Sequence, residues 1–183
     1  MFDQETWIFI NTFSSWFSAI GTLAAVIISL YLARRERKIQ LKVSAGHRLM
    51  LIPGRTGKPI EYLNIEIVNV GARVANITNV GWSVGFLRKR ISVQMTIQDG
   101  FSSRMPTQLN DGERASYYIP LYGEAQWLET FAKDFLEKHP HISSRTVKII
   151  VQTSVGKVFT SRIEKGLRDE LVKSAKLLQK KRL

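Results

Sequence analysis

TWIFINTFSSWFSAIGTLAAVIISLYLA, Thr6 to Ala33, contains no Asp, Glu, Lys, Arg or His. A helix rises about 1.5 Å per residue, and about 20 apolar residues cross the hydrocarbon core of a bilayer. The stretch therefore predicts one transmembrane helix with slack for tilt. Trp7 and Tyr31 lie near its ends, where amphipathic rings prefer the headgroup level. Asp3 and Glu5 precede it, and Arg34, Arg35, Arg37 and Lys38 follow it directly. A cleaved signal peptide shows the opposite order: a basic start, a shorter apolar core and a small-residue cleavage site. The span is expected to be retained. All 27 Lys and Arg lie after Ala33. The positive-inside rule then turns the N-terminus outward and leaves the rest of the chain in the cytoplasm, with the four juxtamembrane cations against anionic lipid.

The polar and small residues of the span follow a pattern. Asn11, Ser15, Ser18, Thr22, Ala25 and Ser29 are separated by alternating steps of four and three. That 3.5-residue period draws one stripe along a helix. Gly21 and Ala25 add a small-xxx-small pair. Helices in lipid associate through small residues and interhelical hydrogen bonds, because lipid tails offer no hydrophobic drive. The stripe predicts a contact with a second copy of the chain or with another membrane protein, and a water-lined pore is a narrower form of it. Back-bonding of Ser and Thr to their own helix carbonyls is the alternative.

Beyond the span, about 150 residues remain, enough for one domain with a real core. There is no cysteine, so no disulfide and no thiolate metal site. With Asp3 and Glu5 set aside, the remainder of the chain is +14. Such a surface suits an anionic neighbour: the inner membrane leaflet, nucleic acid, a nucleotide or an acidic protein.

Local patterns are mostly of period two. Leu41, Val43 and Ala45 alternate with polar residues and predict a strand in 39–52, broken at Pro53-Gly54. GRTGKP (54–59) is too short for a phosphate loop, lacks a Ser or Thr after Lys58, and reads as a hairpin loop. Leu63, Ile65, Ile67 and Asn69 share one face of a second strand. A third strand runs over 75–86, with Ala75, Ile77 and Asn79 in phase and a bulge expected at Gly81-Trp82. After a basic turn, Val93, Met95 and Ile97 mark a fourth strand over 91–97. Residues 99–113 read as loop and 115–121 as a strand. Trp127, Leu128, Phe131, Phe135 and Leu136 form the apolar stripe of a helix over 124–139, ended by Pro140. Strands over 146–153 and 157–163 are joined through Ser154-Val155-Gly156. Leu167, Leu171, Ala175 and Leu178 predict a basic amphipathic helix over 164–183. About seven strands with closely spaced turns suggest an antiparallel β-sandwich of immunoglobulin-like type. The expected organisation is 1–38 anchor and basic juxtamembrane segment, 39–163 sandwich, and 164–183 terminal helix.

Asn69-x-Gly71-x-Arg73, then Ile77 and Gly81-Trp82, resembles a pattern in small bacterial proteins with one N-terminal span and a following immunoglobulin-like β-sandwich. Leu109-Asn110-Asp111-Gly112-Glu113 resembles their turn before a strand, and Ser154-Val155-Gly156-Lys157-Val158 their final hairpin. Here Val74-Ala75 stands where that pattern has a nearby Pro. The resemblance implies the fold and a bacterial inner-membrane location, and it carries no activity.

No catalytic signature is present. His139-Pro140-His141 lacks carboxylates at ligand spacing and reads as a solvated helix-end pair. Ser14-Ser15 and Ser143-Ser144 have no nucleophile elbow. Asp169 and Glu170 read as i,i+4 partners of Lys165 and Lys173. No cofactor or metal is expected. Binding remains, through Arg88, Lys89 and Arg90 in a turn and Lys180, Lys181 and Arg182 at the end of the last helix. Aromatics are not interleaved with these cations and no major-groove module is recognisable, so nucleic acid is not the expected partner. Two functional expectations follow. One is a membrane-anchored binding or scaffold module that oligomerises through its span and presents a basic domain to an anionic ligand or protein. The other is a membrane-disrupting effector, as in bacterial defence against phage, triggered through that domain.

Overall fold

The structure is a computed structural model. It describes residues 4–36, 38–51, 54, 59–86, 88–95, 100–123, 126–136 and 139–181. The chain divides into two compact units, Met1–Lys38 and Ile39–Leu183. In the first, α1 (Gln4–Glu36) is a single helix about 50 Å long by its rise per residue. Its segment Ser15–Arg34 is long and apolar enough to cross a membrane.

The second unit holds two antiparallel sheets. β1 (Leu41–Met50) and β2 (Ile60–Asn69) form the hairpin predicted around Pro53-Gly54, with Met50 opposite Ile60. Most of the connecting loop lies outside the described residues. β6 (Arg114–Pro120) pairs on the other side of β2. Alternation fixes the buried face: Val43 and Ala45, then Leu63, Ile65 and Ile67, then Ala115, Tyr117 and Ile119. The outer edge of β6 is not left bare, since Ser103 N–H donates to the Ser116 carbonyl at 2.8 Å and Tyr118 N–H to Ser102 Oγ at 2.9 Å.

The other sheet is built on β3 (Ala75–Val84). It pairs with β4 (Arg90–Val93) and β5 (Thr107–Leu109) along one edge and with β7 (Lys148–Thr153) along the other, and β7 pairs with β8 (Val158–Arg162). β5 falls inside the stretch read from sequence as loop. The register of β3 slips between Ile77 and Asn79. This is the bulge, three residues before its expected place, and it resets the alternation: Ala75 and Ile77 are buried before it, Val80, Trp82 and Val84 after it. Gly81 has a different role. A β-carbon there would run into the backbone carbonyl of Ser92, so glycine lets β4 approach. The fourth strand stops at Val93, and Ile97 lies outside the described residues.

Three helices accompany the sheets. α2 (Trp127–Leu136) buries Leu128, Phe131, Ala132 and Leu136 at helical spacing. Pro140 does not merely end the helical pattern. It opens α3 (Pro140–Thr146), where its fixed φ suits the first turn and its missing N–H is no loss. α4 (Lys165–Lys181) buries Leu167, Leu171 and Ala175 in the same apolar cluster as both sheets. It therefore belongs to the unit that starts at Ile39, and the boundary expected at 164 separates nothing compact.

Polar contacts lock this arrangement. Two indole N–H groups, from Trp82 at 2.8 Å and Trp127 at 2.9 Å, converge on Gln94 Oε1. Trp127 stacks on Phe131 with centroids 4.8 Å apart. Arg90 donates to the carbonyls of Asp134 and Phe135 at the C-terminal end of α2 and lies over the Phe135 ring. Asn69 is fully buried. Its amide donates to Arg73 O at 2.9 Å and Leu109 O at 3.0 Å, and its Oδ1 accepts from Gly71 N–H at 3.1 Å. At the start of α4, Glu164 takes a two-pronged contact from Arg48 of β1, 2.6 and 2.7 Å. Gly46 makes room, since a β-carbon there would collide with the Glu164 carboxylate. The hydrogen bonds from Arg48 hold the Glu164 carboxyl below the ordinary carboxylate range.

Candidate anion-binding cleft

α3 and α4 line an open cleft of about 410 Å³. α3 contributes His141 and Arg145, one turn apart on the same side of the helix. α4 contributes Arg168, Asp169, Lys173 and Lys176. Their spacing of one, four and three residues puts them on a face beside the buried stripe of Leu167, Leu171 and Ala175. Four permanent cations thus meet one carboxylate. Among the described residues, Arg145, Arg168 and Lys176 have no carboxylate within ion-pair distance, whereas Lys173 lies 3.6 Å from Glu170.

Glu170 is turned to the neighbouring face of α4, where it accepts a hydrogen bond from the Tyr122 hydroxyl at 3.0 Å. Burial, then this bond and the charge behind it, push the Tyr122 phenol up to about 12. Glu170 is not among the residues that line the cleft. Guanidinium groups offer a planar fork that matches phosphate or carboxylate oxygens, and ammonium groups add compact charge. The cleft can hold an anion. Ser144 also lines the wall, its Oγ donating to the His141 carbonyl at 3.1 Å.

The sites expected from sequence fall in several places. Ser15, Ser18, Thr22, Ala25 and Ser29 are exposed along α1. Thr22 Oγ donates within its own helix, to Ser18 O at 3.1 Å and Ala19 O at 2.9 Å. Arg34 and Lys38 are exposed. The side chains of Asn11 and Arg35, and all of Arg37 and Arg182, lie outside the described residues. Arg88 and Lys89 face solvent in the β3–β4 turn, while Arg90 is engaged by α2. Lys180 and Lys181 are exposed in the last turn of α4, one turn past Lys176.

No family model matches the chain, and no curated protein matches it. Among solved structures, a Bordetella pertussis protein named as ApaA aligns at 14% identity and a TM-score of 0.31, over 69% of this chain and 89% of that one. A Northeast Structural Genomics Consortium target, SoR45, aligns at 10% identity and a TM-score of 0.30, over 70% and 84%. Likeness at this level decides neither fold nor activity.

The sequence pattern reads His141 as a solvated helix end and Lys173 as a partner of a carboxylate within its own helix, and does not bring the two together. What it lacked was α3. Pro140 at a first helical position was the available signal, and with α3 in place His141 and Arg145 become the opposite wall.

Proposed function

We propose that this protein is a non-enzymatic binding module anchored in a bacterial inner membrane. In this reading α1 is a single-pass span with its N-terminus outside, associating with further copies or another membrane protein along Asn11, Ser15, Ser18, Thr22, Ala25 and Ser29. The unit from Ile39 is an immunoglobulin-like β-sandwich on the cytoplasmic side, and it presents the α3–α4 cleft to an anionic ligand or an acidic protein. One observation carries the reading: four cations and one carboxylate line a cleft. Cations that share a concavity repel one another until an anion enters, and because most of them are exposed the attraction is screened by salt.

The test uses the full chain in mild detergent with inorganic pyrophosphate as probe. Titration calorimetry should show binding that weakens with salt, and Arg145→Ala with Arg168→Ala should lower affinity at least about tenfold, each charge-assisted contact contributing on the order of 1.5–3 kcal/mol. Replacing Lys180 and Lys181 should change it little. If the terminal lysines dominate and the arginine pair is silent, the cleft is not the site.

A further inference from the structure

Phe86, in the turn between β3 and β4, is 85% exposed, and Arg88 and Lys89 beside it face solvent. Along β4, Ile91 and Val93 are 68% and 59% exposed, and Met95 just past it is 85% exposed. The register explains why this face is bare. Ile91 lies opposite Ser83 and Val93 opposite Gly81, whose side chains are too small to cover them. Gly81 has no room to be larger, because Ser92 occupies the space a β-carbon needs. The exposure is therefore built into the strand pairing.

Four large apolar side chains and two cations on one hairpin do not make a solvated turn. They have the composition of an interfacial contact, in which apolar groups enter the boundary of headgroups and acyl chains while cations stay with lipid phosphates. The hairpin is also held firmly. Gly85 N–H donates to Thr146 Oγ at 2.9 Å, and Arg90 is fixed on α2. Phe86 and the cleft residue Arg145 are each one residue from the Gly85–Thr146 bond, so cationic charge lies next to the apolar tip. α1, long and apolar enough to cross a membrane, is joined to this unit at Lys38–Ile39, which gives the hairpin a high effective concentration of lipid.

We propose that the β3–β4 hairpin is a contact site for an anionic bilayer surface: Phe86, Ile91, Val93 and Met95 enter the interface, and Arg88 and Lys89 hold lipid phosphates. The inference rests on the membrane anchor of the preceding reading and not on any ligand in the cleft.

The chain has no cysteine, so Phe86→Cys provides a single site for an environment-sensitive fluorophore. The labelled full chain is placed in nanodiscs of phosphatidylcholine, with or without phosphatidylglycerol. Leu49→Cys, at a 58% exposed position on β1, an edge strand of the other sheet, serves as comparison. The label at 86 should shift to shorter wavelength and be quenched by doxyl lipid in the anionic discs, and the label at 49 should do neither. In neutral discs, or with Arg88→Glu and Lys89→Glu, the quenched fraction should fall at least about threefold. Met95→Cys should behave like Phe86→Cys, which guards against a local effect of the label on the turn. A chain incorporated in anionic discs whose labels at 86 and 95 stay in water overturns the inference and leaves the anchor standing. A shift that follows the number of copies per disc and ignores lipid charge overturns it in favour of contact between copies. A chain that enters neither disc overturns the anchor reading and this inference together.

Discussion

Asn69 ties two backbone segments together with three side-chain bonds: its own turn through Gly71 and Arg73, and β5 through Leu109. Alanine at this position would strand the buried Leu109 carbonyl and Gly71 N–H and leave the Arg73 carbonyl to solvent. Asn69→Ala should lower the unfolding free energy of the Ile39–Leu183 unit by about 3 kcal/mol, since each orphaned buried group costs on the order of 1–3 kcal/mol. A urea midpoint within error of the parent would show that the turn closes without it. Glu164 gives a pH-dependent case. Its carboxyl is held low by Arg48, so the contact stabilises the fold above the ordinary carboxylate pKa and is lost as pH falls through the depressed value. Glu164→Gln should cost up to about 1 kcal/mol at pH 7, as a partly exposed ion pair. The gap between variant and parent should narrow below about pH 4. Denaturation curves at pH 7 and pH 3 check both halves, and a pH-independent gap would deny the ionic origin.

At the scale of elements, α4 is the clearest case of apolar period translated into packing. Leu171 is fully buried, and Leu171→Ala should cost about 2–5 kcal/mol in thermal or urea unfolding. A loss below 1 kcal/mol would mean that the helix rests on the sheets only loosely. The two-residue alternation of β1, β2 and β6 and the helical stripe of α2 were legible because their apolar spacing is long and uninterrupted. β3 was legible only to Ile77. The apolar positions continue as Val80, Trp82 and Val84, and that change of phase records the bulge, but Gly81 drew attention to itself for a different reason. β5 is three residues long, too short for any period. α3 has seven residues and one buried side chain, Ser144, so it offered no apolar stripe. Because α3 was hidden, half of the cleft was hidden with it, whereas the α4 half was visible as charge without a partner wall.

For the whole molecule, the division at Lys38–Ile39 has a direct consequence for experiments. A fragment beginning at Ile39 should fold by itself and give a β-rich circular dichroism spectrum, and a dominantly helical or unfolded spectrum would contradict the compact unit. If α1 associates as proposed, Ser18→Leu with Thr22→Leu should weaken self-association in a membrane two-hybrid assay, while Ile20→Leu with Ile27→Leu, off the stripe, should not. Hydrogen bonds between helices in lipid contribute on the order of 0.5–2 kcal/mol each, so the stripe pair should lose most of its signal. Equal behaviour of the two pairs would leave Thr22's bonds within its own helix as the whole account of the stripe. Growth arrest on expression of the parent, abolished by the stripe variants, would favour the effector over the binding module.

The pairing of Arg48 with Glu164 also sets a clock. The two residues are 116 positions apart, and ribosomes add roughly 5–20 residues per second, so β1 waits on the order of 6–23 s for its partner. During that time the notch at Gly46 is empty, and until β7 and β8 emerge β1 is held by the β2 hairpin. Synthesis order therefore makes β1, the strand that follows α1 in the chain, the first to emerge and among the last to be fastened. A nascent chain stalled before α4 should expose β1 to protease, and release of α4 from the ribosome should be the event that protects it.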